Sequence, residues 1–117
     1  MRFIFFVLIS VSLFFQSSFA FSFSPQPHPC AEEAIKQAQK LLLFHSDQDD
    51  RATVDDRVQD VELLKPIKAA VGKGSFDVLQ VNGSIYKGNY RMRLIYAQIP
   101  DMCVLMGQEI LELSDPY

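Results

Sequence analysis

The sequence predicts an α+β fold, one N-terminal helix packed on a curled antiparallel sheet of three or four strands. Three observations predict it. Residues 31–45 place apolar side chains at helical spacing, residues 76–97 alternate apolar and polar side chains in twos, and single cysteines stand just before the helix and near the chain end. A sheet that curls across the helix buries both apolar faces and brings those cysteines together.

The chain opens with a basic start, Met1-Arg2, an apolar run over residues 3–15, and a small polar stretch ending in Ser18 and Ala20. This pattern reads as a secretory signal peptide over residues 1–20, cut after Ala20. Its apolar run is shorter than the ~20 residues a membrane span needs. The expected location is exported, periplasmic or secreted, and the expected mature chain is residues 21–117. Removing Arg2 takes the formal net charge from −3 to −4. A mildly acidic chain argues against nucleic acid, which needs clustered Lys and Arg, and against membrane attachment after signal cleavage.

Residues 21–29, FSFSPQPHP, carry three prolines in five residues and read as an extended, mobile arm. The domain is expected over residues 30–117. Its helix follows at once. Ala31, Ala34, Ile35, Ala38, Leu41, Leu42 and His45 share one face, Glu32 and Glu33 favour the positive helix end, and Lys36 pairs in order with Glu32.

Residues 46–60 are acidic and read as a solvated loop. Asp47, Asp49 and Asp50 resemble the start of a calcium loop. Arg51 then occupies a ligand position, the required glycine is missing, and Val58 stands where the closing Glu belongs. A strand is expected over residues 58–67, with Pro66 confining it to a sheet edge. Gly72 and Gly74 mark a turn.

After that turn the pattern becomes β. Phe76, Val78 and Gln80 alternate with Asp77, Leu79 and Val81. Tyr90, Met92, Leu94 and Tyr96 alternate with Arg91, Arg93, Ile95 and Ala97. Asn82-Gly83 is the strongest hairpin signal, with Lys87-Gly88-Asn89 as its rival; one is the turn and the other a bulge in a long strand. Asn82-Gly83-Ser84 is also a glycosylation sequon if the source is eukaryotic, and Asn82 is expected to be exposed. Pro100-Asp101 marks a turn before a last strand over residues 102–113.

Two cysteines in an exported chain predict a Cys30–Cys103 disulfide. A domain this size buries only roughly 60–65% of its unfolded surface, so a staple helps; the chain-entropy account assigns this loop about 4 kcal/mol. Enzyme chemistry finds few parts. The chain has two histidines, His28 in the arm and His45 at the helix end, with no nucleophile elbow and no phosphate loop. Glu109 and Glu112 have no facing carboxylate partner of the kind glycosidases use. No catalytic residue, metal site or cofactor is expected. Tyr86, Tyr90, Arg91 and Arg93 are of the types that dominate binding hot spots.

A helix followed by a strand ending Gln80-Val81-Asn82-Gly83, then a long strand bearing Tyr86 and Tyr90, resembles the cystatin arrangement. Cystatins wedge a Q-x-V-x-G hairpin into the clefts of papain-like proteases. This chain is one residue shorter there, has Ile99-Pro100-Asp101 near the place of the second cystatin loop, and has no Trp. It also resembles small exported bacterial α+β proteins with one disulfide. The leading expectation is an exported, non-enzymatic domain that binds a protein or peptide, with Gln80, Val81, Asn82, Gly83, Tyr86, Tyr90, Arg91 and Arg93 as candidate contacts. The alternatives are a cystatin-type inhibitor of papain-like cysteine proteases and a small-ligand pocket protein.

Overall fold

The structure is a computed structural model, described over residues 26–113. The expected signal peptide and residues 21–25 of the arm lie outside the described residues. The helix α1 spans Ala31–His45, and Ala31, Ala34, Ala38 and Leu42 form its buried stripe. Glu32 and Glu33 occupy the first turn, where the helix dipole favours them. The helix ends as Ser46 N–H donates to Leu42 O at 3.0 Å. Asp47 and Gln48 then take φ of 54° and 65°, turning the chain back toward the sheet.

Six antiparallel strands form the sheet, in four positions. Strands β1 (Ala52–Val54), β2 (Glu62–Leu63) and β3 (Ile67–Lys68) all pair with one side of β4 (Ser75–Ile85); β5 (Gly88–Ala97) and β6 (Leu105–Glu112) follow in order. The three short strands are pieces of one broken edge. The 3₁₀ turn Val58–Asp60 separates β1 from β2, and Pro66, which has no N–H to donate, separates β2 from β3. The strand expected over residues 58–67 is therefore partly turn. The acidic loop expected over residues 46–60 contains β1, which three residues are too few to announce by alternation.

One face of the sheet is the core. Leu79 and Val81 of β4, and Met92, Leu94 and Tyr96 of β5, meet Ala34, Ala38 and Leu42 of the helix. Alanines at 34 and 38 let the helix lie close, and the larger side chains fill the space from the sheet. Register pairs Val81 with Met92 and Leu79 with Leu94, so β4 and β5 contribute matched rows. The disulfide end holds the sheet to the helix start. Cys30 and Cys103 are bonded, with Cα atoms 5.7 Å apart. Cys103 lies in the loop before β6, not in the last strand as expected, because β6 starts only at Leu105.

Candidate functional site

The long β4–β5 hairpin carries every candidate contact read from the sequence, and the structure divides them among three places. The turn is Tyr86-Lys87, since Ile85 pairs directly with Gly88. Asn82-Gly83 is neither the hairpin turn nor a bulge. It sits inside β4, with Asn82 opposite Arg91 and Gly83 opposite Tyr90. The glycine serves close packing: a Cβ there would lie 2.8 Å from Thr53 O and 3.1 Å from Leu42 Cδ2. Strand β1 and the helix could not approach so near with any larger residue. Asn82 O accepts from Asp55 N–H at 2.9 Å, and Asn82 is half-buried rather than exposed.

On the helix side, Val81 is buried at 1% exposure, and Tyr90 meets the His45 ring edge-on at 5.6 Å. Val81 and Gly83 therefore belong to the core, not to a wedge. On the opposite face lie Gln80, Asn82, Arg91 and Arg93. A polar row crosses the whole sheet there. Gln80 Nε2 donates to Glu62 Oε2 at 3.5 Å, Arg93 Nε donates to Gln80 Oε1 at 3.1 Å, and the Arg93 guanidinium lies 3.4 Å from Glu109. Arg91 stands in the next row, paired with Asn82 on one side and Leu111 on the other, and its Nε is buried without a hydrogen-bond partner. Toward the disulfide end the face turns apolar, where Leu64, Ile67, Val78 and Ile95 line a shallow groove of about 390 Å³.

Tyr86 is the third place. It is 71% exposed and sits at φ 53°, a left-handed conformation that side chains with a Cβ adopt at a cost. Arg51 and Lys87 stand 5.4 and 5.5 Å from its ring centre, at distances suited to cation–π attraction. Arg51 is itself held by a two-pronged contact to Asp49, at 3.0 and 2.8 Å. Those hydrogen bonds bring the Asp49 carboxyl down to about 2. The carboxylate that resembled a calcium ligand is thus engaged by Arg51.

The disulfide end gathers residues that hairpin-centred reasoning passed over. Cys30 N–H donates to His28 Nδ1 at 3.0 Å, so His28 donates from Nε2 to Asp77 Oδ2, at 2.8 Å. Gln98 donates to the other Asp77 oxygen at 2.8 Å. The His28 bond, then the Gln98 bond, hold the Asp77 carboxyl below its ordinary value. The arm is tied down at its last residues, against the expectation that all of residues 21–29 is mobile. Both His28 nitrogens are engaged, and the two sulfurs beside them are bonded to each other. Asp77 interrupts an otherwise apolar inward row, and that break was the available signal.

Three chain segments lie at this end of the sheet: His28-Pro29, the β3–β4 loop of residues 69–74, and the β5–β6 loop of residues 98–104. Pairing of Phe76 with both Ile67 and Ala97 puts the two loops side by side. The first loop closes with Ala69 N–H donating to Gly74 O at 2.8 Å, turns at Gly72 (φ 84°), and leaves Val71 90% exposed. The second exposes Ile99 and Met102 and turns at Asp101 (φ 61°). A cleft of about 520 Å³ lies between His28, Asp77, Gln98, Ile99, Met102 and Cys103.

Among the described residues, no helix is long and apolar enough to cross a membrane. No protein-family model matches the chain, and neither the curated proteins nor the solved structures contain a match.

Proposed function

We propose that the protein is an exported, non-enzymatic domain that binds a protein or peptide partner through the disulfide end of its sheet. The observation that carries this reading is the set of apolar side chains Val71, Ile99 and Met102, held outward on two adjacent loops. A single apolar residue on a surface is ordinary, but a group on a fixed frame is a recognition feature. The loop that carries Ile99 and Met102 is pre-organised by the Cys30–Cys103 bond and the His28–Asp77–Gln98 bonds, and the loop that carries Val71 is closed by its own Ala69–Gly74 hydrogen bond; both reduce the ordering cost of association. Export agrees with the disulfide. A non-enzymatic role agrees with a histidine whose two nitrogens are both engaged.

Cystatin-type inhibition is the second reading. A cystatin wedge draws on an arm, a first hairpin and a second loop, and this end offers His28-Pro29, residues 69–74 and residues 98–104 together. The wedge hairpin would then be residues 69–74, not Gln80–Gly83. The aromatic anchor of the second loop is absent from the sequence, so inhibition of papain is expected in the micromolar range or weaker, roughly −8 kcal/mol or less favourable.

One double variant tests both. Pull-down from the native compartment with the wild-type protein is expected to capture a partner that Val71→Asp with Ile99→Asp does not, while the circular dichroism of the two proteins stays the same. Capture unaffected by both substitutions overturns the binding face. Nanomolar inhibition of papain, lost in the same variant, reverses the order of the two readings.

A further inference from the structure

The two halves of the disulfide lie in different surroundings. Cys30 is 4% exposed and sits at the N-cap of α1, inside the buried cluster that holds Ala34 and Leu79. Cys103 is exposed, in the loop of residues 98–104, and is not part of that cluster. Both line the cleft of about 520 Å³ that His28, Asp77 and Met102 also border. The core is therefore complete without Cys103, and solvent meets the bond from the Cys103 side.

The helix start suits Cys30 as a leaving group. An N-cap side chain ordinarily accepts from the N–H of the second or third helical residue. Cys30 makes no such bond, and among the described residues the N–H groups of Glu32 and Glu33 have no acceptor. A thiolate released at Cys30 can accept from these donors, and it sits at the positive end of the helix dipole, a setting that favours thiolate over thiol. The carboxylates of Glu32 and Glu33 on the same turn, and of Asp77 across the cleft, oppose the charge, as does Met102 O, 3.8 Å from Cys30 Sγ. The two glutamates are exposed to solvent that screens them, and Asp77 is bonded to His28 and Gln98. Cys103 lies in a loop and has no helix start at its own backbone.

We infer that the Cys30–Cys103 bond is a redox-sensitive switch, opened in the folded protein by a dithiol reductant that attacks Cys103. A thiolate of the reductant bonds to Cys103 Sγ, the bond between the two Sγ atoms breaks, and its electron pair leaves on Cys30 Sγ. The second thiolate of the reductant then attacks the reductant's own sulfur in the mixed disulfide, and Cys103 leaves as thiolate. The two protein thiolates take up two protons, equal to those the reductant's thiols gave to water. Two electrons pass, and the dithiol becomes a disulfide. What the switch releases is the loop. Ala97 N–H donates to Val104 O at 3.0 Å and Met102 N–H to Ile99 O at 3.3 Å, bonds that hold the loop to β5 and to itself. The disulfide is its covalent tie to the helix start, and the Gln98–Asp77 bond ties it to β4. Opening the disulfide frees the stretch that presents Ile99 and Met102 while the helix–sheet core stays closed. The inference does not rest on those side chains binding a partner.

The test starts from oxidised wild-type protein and dithiothreitol under native conditions. The opening rate is expected to rise in proportion to dithiothreitol and to exceed the global unfolding rate, extrapolated from urea, by about tenfold or more. A rate that levels off at the unfolding rate overturns the proposal, because the bond then opens only in the unfolded chain. Reduced glutathione in place of dithiothreitol, quenched with N-ethylmaleimide and mapped by peptide mass spectrometry, is expected to leave glutathione mainly on Cys103 and maleimide on Cys30. Glutathione mainly on Cys30 overturns the direction of attack and with it the proposal. After full reduction the helical circular dichroism is expected to remain, and amide exchange to rise over residues 98–104 but not at Leu79, Val81, Met92 or Leu94. Loss of the helix on reduction overturns the switch and makes the bond a structural staple. In the reduced protein the Cys30 thiol is expected to titrate at lower pH than the Cys103 thiol, read from their Cβ NMR shifts. The same or the reverse order overturns Cys30 as the favoured leaving group.

Discussion

On the helix side of the β4–β5 hairpin, Leu79, Val81, Met92 and Leu94 are buried to 1% exposure or less. On the other side Gln80, Asn82, Arg91 and Arg93 occupy the intervening positions, half-buried with no element of the described chain packed over them. The two faces share strands, register and spacing. They differ in what excludes water. The inner face is sealed by a helix whose alanines bring it close. The outer face carries polar and charged side chains that stay half-buried, with Arg93 bonded to Gln80 and Glu109 across the strands. The candidate contacts were drawn from both faces without distinction. The structure separates them, giving core roles to Val81, Gly83 and Tyr90 and solvent-facing ones to Gln80, Asn82, Arg91 and Arg93.

The largest expected effect breaks the inner face. Leu79→Ala removes a fully buried side chain from the row facing α1. It is expected to lower stability by about 2–5 kcal/mol, the range for buried Leu truncations, read as a shift of the urea midpoint. Gln80→Ala, its neighbour on the outer face, is expected to lose less than about 1 kcal/mol. Equal losses at the two positions would show that the faces are not distinct.

This division was largely legible in the sequence. The helix was read to its observed ends because Ala31–His45 carries a full amphipathic period with acidic residues placed at its start. Strand β5 was read because its alternation over residues 90–97 is uninterrupted, and β4 was read only over residues 76–81 of its full length. The disulfide followed from cysteine parity in a chain read as exported. Two things were not legible. Asn-Gly is a hairpin signature only when φ is positive, and here the glycine answers a tertiary demand, the approach of Thr53 and Leu42. No local pattern reports that. The broken edge was hidden for a similar reason. Strands of two or three residues have no measurable period, and β1 to β3 exist because β4 offers them a partner. The disulfide end was missed because its residues are dispersed over three segments that only the fold brings together.

A smaller effect tests the glycine directly. Gly83→Ala adds a Cβ that meets backbone at Thr53 O and the side chains of Leu42 and Met92. The side chains can shift, but the carbonyl is part of β1 and must move with its strand. The expected loss is about 1–3 kcal/mol, the range for overpacking. Increased hydrogen exchange confined to β1 and its partners Gly83, Ser84 and Ile85 would show that the strand is displaced. An alanine variant as stable as wild type, with β1 still protected, would return Asn82-Gly83 to the role of a flexible turn.

The smallest effect sharpens the outer face. Arg93 joins Gln80 and Glu109 in the row across the sheet, and its side chain is 32% exposed against 56% for Glu109. A pair this open loses most of its attraction to solvent and to the ordering of two long side chains, so the ionic part contributes at most about 1 kcal/mol. Arg93 also lines the groove beside it together with Val78 and Ile95, so its apolar stem is a second source of stability. The two contributions separate by substitution and salt. Arg93→Ala removes both, and is expected to lose about 1 kcal/mol, since exposed pairs lie in that range. Arg93→Met keeps an apolar stem and removes the charge, so it should recover part of the loss. The difference between wild type and Arg93→Met should shrink in high salt, where the Debye length falls to about 3 Å. A loss above about 3 kcal/mol for Arg93→Ala, unchanged by salt, would place this row among buried structural contacts. The outer face would then be a second core surface, and not the solvated counterpart of the first.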